Sequence, residues 1–138
     1  MSLSRLGDPI YGGLRLVAGL LFACHGAQKV LGWFLPPDRS PQPLDLLPRV
    51  AGWIEVLCGL LIAVGFVTRP AAFLASGTMA VAYFMVHANG GLLPIVNHGE
   101  LAVLYCWLFL FIFFHGPGKL SIDGWIRTRS LTTDKRGE

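Results

Sequence analysis

The chain has 138 residues, of which 54% are hydrophobic and 14% charged, and its formal net charge is +3. Ordinary globular chains carry roughly 25% charged residues, so this composition argues against a soluble protein with a polar surface. The charges are largely absent from four long apolar runs, and too little polar sequence remains to cover those runs in water. We therefore predict an integral membrane protein that is surrounded by membrane lipid and has no nucleic-acid partner.

The apolar runs are each long enough to cross a bilayer as a helix. A run of about 18 residues or more spans the roughly 30 Å of bilayer hydrocarbon. The predicted spans cover residues 10–32, 47–66, 70–89 and 97–115. Continuous apolar runs exclude a membrane barrel, whose strands alternate in polarity. The sequence thus predicts an all-α fold, an integral membrane four-helix bundle formed by a single domain over residues 1–138.

Lysine and arginine residues are distributed unevenly between the two predicted membrane faces. Four spans place both termini, the turn at 67–70 and the polar tail at 119–138 on one side. That side carries seven basic residues, which are Arg5, Arg69, Lys119, Arg127, Arg129, Lys135 and Arg136. The other side carries only Arg39 and Arg49. Because cytoplasmic loops carry the excess of Lys and Arg, we predict that both termini are cytoplasmic.

Ionisable residues occur in every predicted span. They are Arg15, His25 and Lys29 in the first span, Glu55 in the second, His87 in the third and Glu100 in the fourth. Each costs about 2.5–3.5 kcal/mol at mid-helix on insertion scales, so such residues are functional candidates. At a rise of about 1.5 Å per residue, all but Arg15 lie in the outer third of the membrane, with Asn97 near Glu100. Arg15 lies close to the inner surface, where a long side chain can snorkel to water.

Helical periodicity places these polar residues on faces that contact other helices. At about 100° per residue, two of the polar stripes include glycines, which permit close helix approach. The predicted stripes are Arg15, Gly19, Phe22, Gly26 and Lys29, with His25 at the edge; Gly52, Glu55 and Gly59; Ser76, Ala80, Tyr83 and His87; and Glu100, Trp107 and Phe111. Polar groups of all four helices are therefore expected to meet inside the bundle, near its outer end. A plainer interpretation stays open, in which Lys29 pairs with Glu55 or Glu100 only to fix the helix register.

Five motifs, taken in order, resemble the DoxX family of small bacterial four-helix membrane proteins. They are Arg15-x3-Gly19-x2-Phe22-x2-His25-Gly26-x2-Lys29; Gly52-x2-Glu55-x3-Gly59; Gly65-x2-Thr68-Arg69-x-Ala71-Ala72; Asn97-x2-Glu100-x-Ala102-x-Leu104-Tyr105; and Gly116-Pro117-Gly118-x2-Ser121-x-Asp123. The resemblance implies a multi-pass protein of the bacterial cytoplasmic (inner) membrane. Relatives named DoxD act with a partner subunit in thiosulfate:quinone oxidoreduction, and others are linked to membrane redox and oxidative-stress complexes. The resemblance carries over Arg15, His25, Lys29, Glu55 and Glu100 as a family-like polar set without assigned chemical steps.

A quinone-linked redox subunit is the function that this resemblance favours. The candidate ligand- or proton-binding residues are Arg15, Phe22, His25, Lys29, Glu55, His87, Asn97 and Glu100. Lys29 or His25 would bind a quinone oxygen, and Phe22 would stack on the ring. Glu55 and Glu100, buried in the bundle, would relay protons to the outer mouth. No haem, flavin or iron–sulfur motif is visible, so no cofactor other than quinone is expected, and electrons would need a soluble oxidoreductase partner.

Three other functions are weighed against the redox subunit. The first is a non-enzymatic binding or assembly subunit, whose basic tail at 119–138 docks a soluble oxidoreductase. The second is a small solute carrier, which four spans without an inverted repeat make less favourable, although a homodimer could compensate. The third is a metal site, but the His and Glu residues lack chelating spacing on any one helix, so we predict no metal. His98 and His115 are interpreted as ordinary boundary residues, and catalysis by the chain itself is left open.

Overall fold

The computed structural model describes residues 6–38 and 43–134, with side chains of the last helix described as far as residue 130. Every regular element in this described part is helical. The helices are α1 (Gly7–Val30), α2 (Leu46–Val64), α3 (Thr68–Ala82), α4 (Pro94–Asn97), α5 (Glu100–His115) and α6 (Ile122–Asp134). A π-helical turn (Tyr83–His87) and a 3-10 turn (Ala88–Gly90) continue α3 toward α4. We call the end where α1 leads toward α2 the pocket end, and the end where α6 begins the tail end.

Three helical segments of the described chain are long and apolar enough to cross a membrane. They are Gly7–Val30, Leu46–Val64 and Thr68–Gly90, and each begins and ends within three residues of a predicted span. Large apolar side chains on these segments face outward, as Leu57 and Phe84 do. An apolar exterior of this extent fits a lipid environment and not water. The chain is therefore an integral membrane protein.

The predicted fourth span, residues 97–115, is not one continuous helix. The helix α4 ends at Asn97, His98 adopts a left-handed conformation with φ of 56°, and α5 begins at Glu100. The Asn97 side-chain oxygen accepts a hydrogen bond from the Gly99 backbone N–H at 2.8 Å. Such a local bond gives the backbone an alternative to the helical ladder, which explains the break. The remaining α5 has 16 residues and is about 24 Å long at 1.5 Å per residue.

The helices α1 and α2 pack closely because glycines face each other across their interface. A methyl group added at Gly26 would lie 2.5 Å from the carbonyl oxygen of Gly52. A methyl group added at Gly59 would lie 2.6 Å from both the Gly19 carbonyl oxygen and the Ala23 nitrogen. Only backbone without Cβ atoms fits at such distances. The predicted close approach along these glycine stripes is confirmed.

The helix α5 presents a different face to the bundle from the one predicted. Its buried residues are Ala102, Tyr105, Phe109 and Ile112. Glu100, Trp107 and Phe111 were expected to point inward, but all three are exposed, so that prediction is wrong. Because α5 is apolar on nearly every side, its composition does not distinguish an inner face. Aromatic packing decides the orientation, with the Phe109 ring centroid 4.7 Å from that of Phe22 on α1.

The tail end is closed by a network that links α1 to the segment after α5. Arg15 is only 2% exposed, so the prediction that it snorkels to water is wrong. Its guanidinium donates hydrogen bonds to the carbonyls of Pro117 at 2.6 Å and Leu120 at 2.8 Å. The Tyr11 hydroxyl donates to the Gly116 carbonyl at 2.5 Å. The chain after α5 folds over the guanidinium and supplies acceptors for its two terminal nitrogens, whereas the buried Nε has no partner among the described residues.

The predicted orientation depends partly on residues that the structure does not describe. Arg5, Arg39, Lys135 and Arg136 lie outside the described residues. Of the remaining basic residues in that prediction, Arg69, Lys119, Arg127 and Arg129 lie at the tail end, and Arg49 lies near the start of α2. The helix α6 begins at Ile122 and lies within the polar tail predicted at 119–138.

Candidate functional site

A polar pocket of about 220 Å³ opens at the pocket end between α1, α2, α3 and α5. We call it the polar pocket, and its lining residues are Phe22, His25, Lys29, Glu55, Met79, Ala82, His87, His98, Leu101, Ala102 and Tyr105. The lining thus combines an acid, an amine and three imidazoles with aromatic and aliphatic side chains. A few convergent polar groups in an apolar wall are typical of small-molecule sites.

Lys29 and Glu55 form an ion pair at the edge of this pocket. The Lys29 Nζ atom lies 2.6 Å from Glu55 Oε1, which joins α1 to α2. The Glu55 side chain is 1% exposed and that of Lys29 is 41% exposed. Gly26 and Gly52 bring the two helices close enough for this contact. The predicted meeting of these two side chains on facing helix surfaces is confirmed.

The second carboxylate oxygen of Glu55 has a different environment from the first. Within the described part of the chain, Glu55 Oε2 is buried and accepts no hydrogen bond. A buried charged acceptor without a donor costs about 1–3 kcal/mol or more. Because Glu55 also lines the polar pocket, a donor that enters the pocket would remove this cost. The carboxylate is therefore suited to accept a hydroxyl or N–H group of a ligand.

Three histidines come from three different parts of the pocket wall. His25 lies on α1 with its ring edge toward Tyr105, at a centroid distance of 6.2 Å. His87 lies in the π-helical turn, and its Nδ1 is 3.1 Å from the Asn97 carbonyl oxygen. His98 lies in the break between α4 and α5. Neutral imidazole both donates and accepts hydrogen bonds, so these groups can bind polar atoms of a ligand or transfer protons.

His98 is the pocket residue that the sequence interpretation missed, because it was assigned to a membrane boundary. The signal that points to it is the sequence Asn97-His98-Gly99, since Asn followed closely by Gly predicts a helix break. A break places the intervening residue on an irregular backbone rather than on a regular helix face. In this fold that backbone forms part of the pocket wall.

Asn97 holds the broken segment in place without lining the pocket. Its Nδ2 donates to the carbonyl of Gly91 at 2.6 Å and to the Tyr83 hydroxyl at 3.3 Å. The Tyr83 hydroxyl in turn donates to the Leu92 carbonyl at 2.6 Å. These bonds connect the π-helical turn to the segment before α5. Asn97 is thus a positioning residue, and π-helical turns of this kind are frequent at functional sites.

Besides Asn97, two further predicted candidates, Arg15 and Glu100, do not line the polar pocket. Arg15 lies in the network at the tail end, where its partners are backbone carbonyls. Glu100 begins α5 with an exposed side chain and does not line the pocket. The family-like polar set is therefore divided, with His25, Lys29 and Glu55 at the pocket and the other two elsewhere.

Asp123 completes the network at the tail end. Its carboxylate accepts hydrogen bonds from the backbone N–H groups of Val67 and Thr68 and from the Thr68 hydroxyl, at 2.9–3.0 Å. Burial raises the pKa of this carboxyl, but the Thr68 and Val67 hydrogen bonds and the nearby Arg15 charge outweigh burial and leave the pKa below its ordinary value. Asp123 thus satisfies the free N–H groups at the start of α3. Two of the family-like motifs, around Thr68 and around Asp123, meet in this contact.

Metal ligation is not favoured by the geometry. Among residues 6–38 and 43–134, no group of three or more His, Cys, Asp or Glu side chains lies close enough to hold a metal ion.

Comparisons with known proteins agree with the motifs. The DoxX family model matches residues 12–88. An uncharacterized protein of Haemophilus influenzae is 40% identical over 114 residues, covering 80% of this chain and 85% of that protein. An uncharacterized membrane protein of Mycobacterium tuberculosis is 28% identical over 94% of this chain and 89% of its own length. The inner membrane protein YphA of Escherichia coli is 28% identical over 79% of this chain and 84% of its own length.

No solved structure matches the chain. The family assignment therefore depends on the matched model and on the relative from Haemophilus influenzae. The match to the family model includes α1, α2 and α3 and therefore the Lys29–Glu55 pair. The chain belongs to the DoxX family of membrane proteins.

Proposed function

We propose that this chain is the quinone-binding subunit of a membrane-bound oxidoreductase, and that the quinone ring occupies the polar pocket. The observation that carries the proposal is the buried carboxylate of Glu55, whose Oε2 accepts no hydrogen bond within the described residues. A quinol hydroxyl is a donor of the required kind, and it would lie beside the aromatic wall of the pocket. The Lys29 ammonium is bonded to Oε1, so Oε2 is the carboxylate oxygen that remains to accept that donor.

The size and lining of the pocket support a ring rather than a whole lipid. Its volume of about 220 Å³ is below the about 300–1,000 Å³ of sites for drug-sized ligands. Phe22 and Tyr105 supply aromatic surface on which a ring can pack. The pocket lies between helices with apolar outer surfaces, so an isoprenoid tail would extend along those surfaces into lipid.

Proton and electron transfer can be assigned to separate groups. When a quinol is oxidised, its two hydroxyls lose two protons and the ring loses two electrons, which leaves a quinone. One proton passes to the Glu55 carboxylate, and the other passes to an imidazole at the opposite ring oxygen, supplied by His87 or His98. The two electrons pass to a partner protein that carries a redox cofactor, since quinone chemistry requires such an acceptor. Reduction of a quinone follows the same steps in reverse.

We also propose that α5 forms a fourth membrane span and that both termini are cytoplasmic. The start of α5 lies near the pocket end, and its last residue, His115, contacts Tyr11 near the start of α1 with ring centroids 4.1 Å apart. It therefore extends over most of the depth of α1. The basic residues at the tail end support a cytoplasmic location of that end. The polar pocket would then open near the outer face of the inner membrane.

Retention and binding of quinone test the proposed function. The full-length protein is purified in nanodiscs from native membranes, its lipid extract is analysed for quinones, and a short-chain quinol is titrated while thermal unfolding is recorded. A co-purified quinone and a quinol-dependent rise in melting temperature are expected. The Glu55→Gln variant should bind quinol about tenfold or more weakly, because a hydrogen bond to a charged group contributes about 1.5–3 kcal/mol.

Glu100→Gln is the matched control for this experiment. It makes the same chemical change at an exposed carboxylate of the same bundle end, so quinol binding should stay at the wild-type level. Absence of quinone from the extract together with no thermal shift would contradict the proposed function. Equal losses of quinol affinity in Glu55→Gln and Glu100→Gln would contradict the assignment of the hydrogen bond to Glu55.

A further inference from the structure

A second and larger cavity lies at the tail end, on the opposite side of the bundle from the polar pocket. Its volume is about 810 Å³, and it lies between the start of α3, the end of α5 and the helix α6. We call it the basic cavity because four of its lining residues are Arg69, Lys119, Arg127 and His115. Two acids, Asp8 and Asp123, also line it. The proposed quinone site makes no use of this cavity.

Both acids of the basic cavity already have partners, whereas neither of its two arginines pairs with a carboxylate of the described residues. Asp8 pairs with Lys119 at 2.8 Å. Asp123 accepts three hydrogen bonds from the start of α3. Arg69 donates one long hydrogen bond, 3.4 Å, to the Phe114 carbonyl. Arg127 is exposed and makes no hydrogen bond or ion pair with the described residues. Two guanidinium groups thus line one cavity without an acidic partner among the side chains that the structure describes.

The helix α6 beside the cavity has the features of a helix that lies at a membrane surface. Ile122, Trp125 and Ile126 occupy one face at helical spacing and are exposed. The guanidinium of Arg129 lies 3.8 Å from the centre of the Trp125 ring. Amphipathic helices with tryptophan on one face and basic residues on the other lie at the level of lipid headgroups. The chain before α6 leads directly from a membrane-embedded bundle, which places this helix beside the bilayer surface.

We propose that the basic cavity binds the phosphate group of an anionic phospholipid. Guanidinium groups form two parallel hydrogen bonds with phosphate oxygens, and basic pockets between membrane helices bind anionic headgroups. Free phosphate would satisfy the same two arginines. A lipid would in addition place its acyl chains against exposed apolar side chains beside the cavity, such as Phe73, one turn after Arg69 on α3, and Phe114 at the end of α5, which a free anion leaves uncovered. Those side chains are the reason for assigning a lipid.

Lipid binding to the purified full-length protein tests this proposal. Native mass spectrometry in neutral detergent measures the binding of phosphatidylglycerol, of phosphatidylcholine and of inorganic phosphate. Phosphatidylglycerol should bind at least fivefold more tightly than phosphatidylcholine, whose phosphate is neutralised by its own ammonium group. Arg127→Gln should weaken phosphatidylglycerol binding roughly fivefold, the effect of one basic residue near an anionic headgroup. Arg69→Gln combined with it should reduce binding further.

Arg49→Gln is the matched control, since it removes an exposed arginine at the pocket end and should leave lipid binding unchanged. The exposed Arg127 contributes no packing, so its variant is expected to fold, and its melting temperature checks that expectation. Equal binding of the two lipids by the wild type, or unchanged binding by Arg127→Gln, would overturn the proposal. Displacement of phosphatidylglycerol by an equal concentration of inorganic phosphate would also overturn it, in favour of a free-anion site.

Discussion

The Lys29 ammonium lies 2.6 Å from one carboxylate oxygen of Glu55, and the two partners differ sharply in their access to solvent. Glu55 is 1% exposed, whereas Lys29 is 41% exposed. The pair joins α1 to α2 through Oε1, and Oε2 of Glu55, a residue that lines the polar pocket, has no hydrogen-bond partner among the described residues. The structural and ligand-binding interpretations of this pair are therefore compatible.

Removing either partner of the ion pair should have unequal effects on stability. Lys29→Met leaves an uncompensated charge on buried Glu55, and we expect the free energy of unfolding to fall by about 3 kcal/mol. This is the low end of the range for buried ion pairs, because water screens the exposed ammonium of Lys29. Glu55→Gln leaves Lys29 without its partner, but the Lys29 ammonium can turn toward water. The free energy of unfolding should therefore fall by only about 1 kcal/mol. Unfolding by denaturant in detergent measures both. If Glu55→Gln lowered the free energy of unfolding as much as Lys29→Met or more, the two partners would not differ in stability as proposed.

The glycine interface gives a second prediction. Gly26→Ala places a methyl group 2.5 Å from the Gly52 carbonyl oxygen, so α1 and α2 must separate, at a cost of about 1–3 kcal/mol. Gly77→Ala is the matched control, because a methyl group there meets no atom within 4 Å. That variant should be unchanged or more stable by up to about 1 kcal/mol. Melting temperatures that fall equally in the two variants would be inconsistent with close packing at Gly26.

Arg15 should contribute to the stability of the tail end and not to the binding of quinol. A lysine has a single ammonium, which cannot reproduce the two-pronged contact with the Pro117 and Leu120 carbonyls. Arg15→Lys is therefore expected to lower stability by about 2 kcal/mol and to speed proteolysis after residue 116. Quinol affinity, measured by titration, should stay within twofold of wild type. If affinity fell while stability and proteolysis were unchanged, Arg15 would have to be placed in the ligand site.

Asp123 should make part of the stability depend on acidic pH. Because its pKa is lowered on folding from the ordinary 3.8, its contribution is complete above about pH 4 and is lost as the pH falls through the folded value. Asp123→Asn should cost about 1 kcal/mol at neutral pH, as loss of a helix cap does, and should flatten the profile below pH 4. Asp8→Asn, which breaks only an exposed pair with Lys119, should change neutral stability little. If stability fell with decreasing pH in the same way in the wild type and in Asp123→Asn, this assignment to Asp123 would be contradicted.

Much of the bundle could be predicted because its signals are local. Long apolar runs determine where α1, α2 and α3 lie, and the glycines at positions 19, 26, 52 and 59 indicate which surfaces of α1 and α2 meet. Once these faces are known, Lys29 lies at the depth of both Glu55 and Glu100, and the structure selects Glu55 as its partner.

The remaining features depend on contacts between distant parts of the sequence. Two of the carbonyls that accept hydrogen bonds from Arg15 lie more than 100 residues away, and no local sequence pattern indicates them. The inner face of α5 is decided by packing of Phe109 against Phe22, since nearly all its residues are apolar. The helix break at His98 has a local signal, but its position in the pocket wall depends on the tertiary hydrogen bond from Asn97 to Tyr83. Each of these features needs the assembled bundle.

The position of a bound quinone tests the central claim most directly. A photoreactive azidoquinone is bound to the protein in nanodiscs, irradiated, and the labelled peptides are identified by mass spectrometry. We expect labels on α1 between Phe22 and Lys29 and on α5 near Tyr105, lost in Glu55→Gln and retained in Glu100→Gln. Labels confined to outward-facing residues such as Phe84 and Trp107, and unchanged by Glu55→Gln, would contradict a quinone site in the polar pocket.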